Sequence, residues 1–131
     1  MLSGINWIAV IIGAVFNMGL GILWYGPFFG RFWLTLSGVK AEDANQTPLM
    51  YLLPFVAAIA SSFMVALVIG ALGIVTWSGG LLWGALIWLF LGGAATLTNA
   101  TFERPNFATW VMFAAYQLIV HAVLGCVFVL W

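Results

Sequence analysis

Residues 107–131 read FATWVMFAAYQLIVHAVLGCVFVLW, twenty-five positions without Asp, Glu, Lys or Arg. A helix rises about 1.5 Å per residue, so this run is long enough to cross a hydrocarbon core about 30 Å thick. Its apolar residues cover every face, and such a helix needs lipid or a large protein interior around it. The chain has only 131 residues and offers no large interior. The closing Trp131 suits a membrane–water interface. This stretch therefore reads as a transmembrane helix.

The rest of the sequence agrees. It is 66% hydrophobic and 5% charged, against about a quarter charged in an ordinary soluble domain. So few charges cannot coat a water-facing surface. Three more apolar runs appear, at about residues 5–25, 48–74 and 81–98. The expected fold is an all-α integral membrane protein, a four-transmembrane-helix bundle forming a single transmembrane domain over residues 1–131. These spans use up the chain, so no separate catalytic domain fits. The first run has no positively charged start and no small-residue cleavage site, which marks a retained helix rather than a signal peptide.

Between the spans lie recognisable punctuation marks. Gly26-Pro27 ends the first helix, since the residue before proline is pushed out of helical geometry. Residues 28–38 follow as a short amphipathic interfacial helix, with Phe28, Phe29, Phe32, Trp33 and Leu36 opposite Arg31 and Thr35. Residues 40–47 (KAEDANQT) form a polar loop, and Thr47-Pro48 reads as a helix cap followed by proline in the first turn. Residues 76–80 (TWSGG) are expected as a tight turn that makes the second and third helices antiparallel neighbours. Residues 99–106 (NATFERPN) form the second polar loop.

Arg31, Lys40 and Arg104 are all the Lys and Arg of the chain. They fall in the loops after the first and third spans, on one side of a four-span topology. The positive-inside rule then puts these loops in the cytoplasm and both termini outside. Two matches to the glycosylation pattern, at Asn45 and Asn99, fall on that cytoplasmic side and read as chance. Glu103-Arg104 with Arg31 reads as solvated headgroup contact, since exposed pairs contribute only about 0–1 kcal/mol. The aromatic-basic segments after the first and third helices form a faint internal echo, too weak to show duplication.

No charged residue lies inside a span, which argues against a pump, a voltage sensor or a carboxylate-coupled transporter. A thin neutral layer remains: Asn17, Ser61, Ser62, Gln117 and His121 at similar depth, with Thr96 and Thr98 nearer one end. Unsatisfied polar groups are costly in hydrocarbon, so these side chains should face the interior. They are either interhelical glue, at about 0.6 kcal/mol per bond, or a ligand-binding site. Gly13, Asn17 and Gly21 share one small-residue face, and Gly92, Gly93, Ala94 and Ala95 cluster in the third span. Small faces permit close helix approach, within the chain or between subunits.

No nucleophile–base pair, phosphate loop or metal spacing appears. Catalytic residues: none; metal: none; cofactors: none. The one cysteine, Cys126, has no partner for a disulfide, and the absence of a basic run leaves nucleic-acid binding unsupported.

Residues 23–33, LWYGPFFGRFW, resemble a segment of the bacterial domain-of-unknown-function family 1761. There Trp-Tyr, a small residue and Pro precede Phe-Gly, a basic residue and Trp. Trp24, Tyr25, Gly26, Pro27, Phe29, Gly30, Arg31 and Trp33 occupy those places here. Asn6-Trp7, Phe102-Glu103-Arg104, Gly125 and Trp131 are compatible with the remainder. The resemblance implies a small four-helix protein of the bacterial inner membrane and supplies no activity. Three functions compete. The expected one is non-enzymatic: binding or passing a small neutral or apolar solute as a homo-oligomer in the lipid bilayer. The alternative is a structural or accessory subunit with a membrane-protein partner. A membrane enzyme would have to work through His121 and hydroxyls alone.

Overall fold

A computed structural model describes residues 4–37, 48–103 and 107–131. The described residues are helical, with no strand among them. The order is α1 (Trp7–Leu23), α2 (Gly30–Ser37), α3 (Leu49–Ala71), α4 (Trp77–Ile87), α5 (Ala94–Glu103) and α6 (Phe107–Leu130). A π-type turn, Trp24–Phe28, joins α1 to α2, and a second, Trp88–Gly93, joins α4 to α5. Four helical stretches are long and apolar enough to cross a membrane: Trp7–Phe28, Tyr51–Ala71, Trp77–Phe102 and Phe107–Leu130. The protein is thus an all-helical membrane protein with four candidate spans.

Local chemistry sets the helix ends. Asn6 caps α1, its side-chain oxygen accepting the Ala9 N–H at 3.1 Å. At the end of α3, Gly73 adopts φ +64°, the left-handed geometry that closes helices. The Gly73 N–H reaches the Gly70 carbonyl, and the Ile74 N–H reaches that of Ile69, both at 3.2 Å. This pair of bonds satisfies the last carbonyls and stops α3 at Ala71. Thr76 then caps α4, accepting the Gly79 N–H at 3.1 Å. The expected turn at residues 76–80 therefore lies earlier, at 72–76, and the third helix begins at Trp77 rather than near residue 81. The physical reason is that threonine starts a helix as readily as it marks a turn: Gly79 sits on the Thr76 cap, and Gly80 packs on α6. Pro54 sits early in α3 and leaves it unbroken. The third span does not end at residue 98 either: α5 carries the helix through residues 99–103 of the expected second loop, where the Thr98 and Thr101 hydroxyls bond back to the preceding turn instead of opening it. The 40–47 loop, the Thr47 cap, Lys40 and residues 104–106 with Arg104 lie outside the described residues.

Which helices pair follows from the small residues. A Cβ on Gly84 would collide with the His121 carbonyl, and one on Gly80 with the Gly125 carbonyl. As the number rises in α4 it falls in α6, so the two run antiparallel with backbones in contact. On the other side of α6, a Cβ on Gly13 would meet Leu124 at 2.6 Å, and one on Gly21 the Tyr116 hydroxyl at 2.6 Å. α1 is therefore also antiparallel to α6. α3 packs chiefly on α1, with Trp7 stacked on Phe63 at 5.4 Å. α6 touches each of the other helices, and Val65, Ile69, Tyr116, Val120 and Leu124 form the core against it. Outward-facing positions such as Ile8, Leu53, Phe90 and Leu91 are more than 60% exposed. A soluble monomer rarely shows so much apolar surface.

Candidate functional site

The neutral polar residues separate into two groups. Asn17 is buried in α1, and the Tyr116 hydroxyl of α6 bonds both to its backbone carbonyl, at 2.6 Å, and to its side-chain oxygen. Ser62, fully buried in α3, donates to the Val10 carbonyl of α1 at 2.9 Å. These bonds tie α1 to its two neighbours through the Asn17 oxygens and the Ser62 hydroxyl. Thr96 donates to the Gly92 and Gly93 carbonyls at 2.7 and 3.2 Å and accepts the Trp110 indole N–H at 3.0 Å. Thr98 donates back to Ala94 at 3.1 Å.

Ser61, Gln117 and His121 behave differently. All three line a half-open groove of about 330 Å³ between α3, α6 and the third span. α3 contributes Ala57, Ser61 and Met64; the third span contributes Ile87, Trp88, Leu91 and Gly92; α6 forms the floor with Phe113, Gln117 and His121. The groove exists because α6 sits between its neighbours: α4 lies tight against it, while α3 leans towards α1. The Gln117 carboxamide and the Ser61 hydroxyl have no hydrogen-bond partner among the described residues. His121 makes one bond, its Nδ1 donating to the Gln117 carbonyl at 2.8 Å. The Trp88 ring flanks the imidazole at 6.4 Å, and Phe113 meets Trp88 edge-on at 6.2 Å. Asn17 and Ser62, expected in the same layer, do not line the groove.

A π-type turn borders this groove. Trp88–Gly93 carries one residue too many for a regular helix, and such insertions recur at functional sites. Trp88 lies across Gly92, where a Cβ would stand 2.9 Å from the indole nitrogen. At the end of the turn Thr96 donates back to the Gly92 and Gly93 carbonyls. The glycine cluster of the third span thus seats a tryptophan rather than a neighbouring helix.

The aromatic segment after α1 folds onto itself and onto α6. Gly26 departs from helical geometry (φ −106°, ψ −107°), and Pro27 lacks an N–H. The Phe29 N–H closes the turn on the Trp24 carbonyl at 2.9 Å. Gly30 is buried where a Cβ would stand 2.7 Å from the Tyr25 carbonyl oxygen. Trp24 packs on Phe29 at 4.6 Å, Tyr25 on Trp33 at 5.8 Å, and both rings reach Tyr116 at 6.1 and 5.9 Å. Phe28 and Phe32 remain 60% exposed, and Arg31 is exposed beside them. The motif is a folded corner keyed into α6. The family described as a protein of unknown function, DUF1761, matches residues 8–129.

The chain belongs to the DUF1761 family. Comparison with curated proteins and with solved structures gives no match. This DUF1761 member has no group of three His, Cys, Asp or Glu able to hold a metal among its described residues. Cys126 is half-buried in α6 and unbonded to any other cysteine. Two features of the site escape a reading of the sequence alone. Tyr116 is the partner of Asn17, although its position in an apolar run suggests only bulk. Gly80 and Gly84 form a Gly-x-x-x-Gly pair, a visible signal for close helix approach hidden by its reading as a turn.

Proposed function

We propose that this DUF1761 protein is a non-enzymatic membrane protein that binds a small neutral or apolar solute in the groove between α3, α6 and the third span. One observation carries the reading. Ser61, Gln117 and His121 open onto a single groove without completed hydrogen bonds, while Asn17, Ser62 and Thr96 are paired. Glue residues find each other; these three find only space. An amide left unpaired in hydrocarbon is costly, so a solute with a polar group gains by entering. The otherwise apolar lining and the absence of charged residues from the lining favour a neutral solute.

The groove is open on the side where Ala57, Met64 and Leu91 are exposed. Entry is therefore from the lipid phase, and we propose a homo-oligomer in which a second copy flanks that side. The native setting we propose is a bacterial inner membrane with both termini outside, on the strength of the Arg31, Lys40 and Arg104 placement.

The test is photolabelling of the full chain in phosphatidylcholine nanodiscs with a small aliphatic diazirine. Labels should concentrate on peptides carrying Ala57, Ser61, Met64 and Gln117. Ala57→Trp, on an exposed position of the groove, should remove that enrichment with helicity unchanged. Labelling spread evenly over all lipid-facing residues would refute a solute site. Native mass spectrometry of the same sample should show a dimer or higher assembly; a uniform monomer would refute the oligomer.

A further inference from the structure

The groove asks for a particular kind of polar group. His121 Nδ1 lies 2.8 Å from the Gln117 carbonyl oxygen. A carbonyl only accepts, so Nδ1 carries the proton, and in the neutral ring Nε2 is then a bare acceptor. No group among the described residues donates to Nε2. Nor is it sealed: the one fully buried polar side-chain atom without a partner among the described residues is Trp24 Nε1. Nε2 therefore keeps some exposure, and the groove that His121 lines is the space on offer to it. The Nδ1 bond to the Gln117 carbonyl sets the orientation of the imidazole, and the Trp88 ring flanks it at 6.4 Å.

Gln117 and Ser61 each both donate and accept, so they suit carbonyls and hydroxyls alike. His121 does not. A solute offering only acceptors leaves the Nε2 lone pair unpaired in an apolar groove, and sites built to bond a hydroxyl reject analogues that lack it. We propose that the groove selects a hydroxyl-bearing amphiphile, an alcohol or phenol dissolved in the lipid phase. Its O–H donates to His121 Nε2, its oxygen accepts from Gln117 or Ser61, and its apolar body lies along Met64 and Phe113. This rests on the groove being a solute site, and it adds the donor requirement.

His121 is the sole histidine of the chain, so ring-¹⁵N histidine labelling reports on it alone. The full chain in phosphatidylcholine nanodiscs is titrated with 4-butylphenol and with its methyl ether, 4-butylanisole, each corrected for partition into empty discs. Protection of the groove from the diazirine probe measures binding of either compound. The phenol should bind about ten-fold more tightly and shift the Nε2 resonance saturably, with Nδ1 remaining the protonated nitrogen. In His121→Phe the preference should fall to near unity. Equal protection by phenol and ether overturns the donor requirement while the solute site stands. Protection by neither overturns both. A proton found on Nε2 in the free protein overturns the donor requirement directly.

Discussion

Replacing Gly84 by alanine puts a methyl group against the His121 carbonyl, well inside contact distance. The obstacle is backbone, not the end of a flexible side chain, so rotamers cannot relieve it. α4 must move away from α6 along a seam where Gly80 and Gly125 are equally close. A gap of about 1 Å already forfeits up to about half of the dispersion well for the facing atoms. Overpacking of this kind costs about 1–3 kcal/mol, and alanine's better helix propensity returns up to about 1 kcal/mol. We expect a net loss of about 1 kcal/mol, roughly a five-fold change in the unfolding constant. The natural control is Gly70→Ala in α3, where nothing lies within 4 Å of the added Cβ. With no clash to offset the propensity gain, it should be unchanged or stabilised by up to about 1 kcal/mol. Reversible unfolding in mixed micelles with increasing dodecyl sulfate, followed by tryptophan fluorescence and circular dichroism, compares the two. If Gly84→Ala and Gly70→Ala unfold alike, the backbone seam between α4 and α6 is wrong.

The same assay reads three other substitutions. Tyr116→Phe removes only the hydroxyl that bonds Asn17 and should cost about 1 kcal/mol; a double-mutant cycle with Asn17→Leu, which keeps the backbone carbonyl, should return a coupling of about 0.6–1.7 kcal/mol, and zero coupling would refute the side-chain bond. The adjacent serines should separate: Ser62→Ala loses its bond to Val10 at a cost of about 0.6 kcal/mol, whereas Ser61→Ala should be neutral within about 0.5 kcal/mol. Gly30→Ala brings a Cβ to 2.7 Å from the Tyr25 carbonyl, so amide hydrogen exchange should quicken across α2 while α6 stays protected; unchanged exchange would show that the corner tolerates a side chain.

Much of this protein was legible before any coordinates. Hydrophobicity and length are properties of each segment alone, because transfer to lipid is summed residue by residue. That is why four apolar stretches, the break at Gly26-Pro27 and the family resemblance at residues 23–33 could be read directly. Short-range chemistry was legible too, though easier to misplace. Thr76 and Gly73 each have a definite local role, yet nearby glycines at 79 and 80 drew the turn four residues too far along. The neutral layer was visible as a set of residue types at matching depth.

How that layer divides was decided only by tertiary structure. Asn17 bonds Tyr116 across 99 residues, and Ser62 bonds Val10 across 52. No local pattern encodes such pairings, since they depend on how far each helix is rotated about its axis and which neighbour it meets. Ser61 and Ser62 are identical in composition and adjacent in sequence, but one helical step of about 100° turns one to α1 and the other to the groove. The Gly80–Gly84 seam holds α4 on α6, α3 packs towards α1, and the space left between them is where Ser61, Gln117 and His121 come together. Sequence determined that these helices belong in a membrane and that few polar groups travel with them. Packing decided which of those groups are bonded and which are left open, because only backbone contact sets the rotation and spacing of each helix.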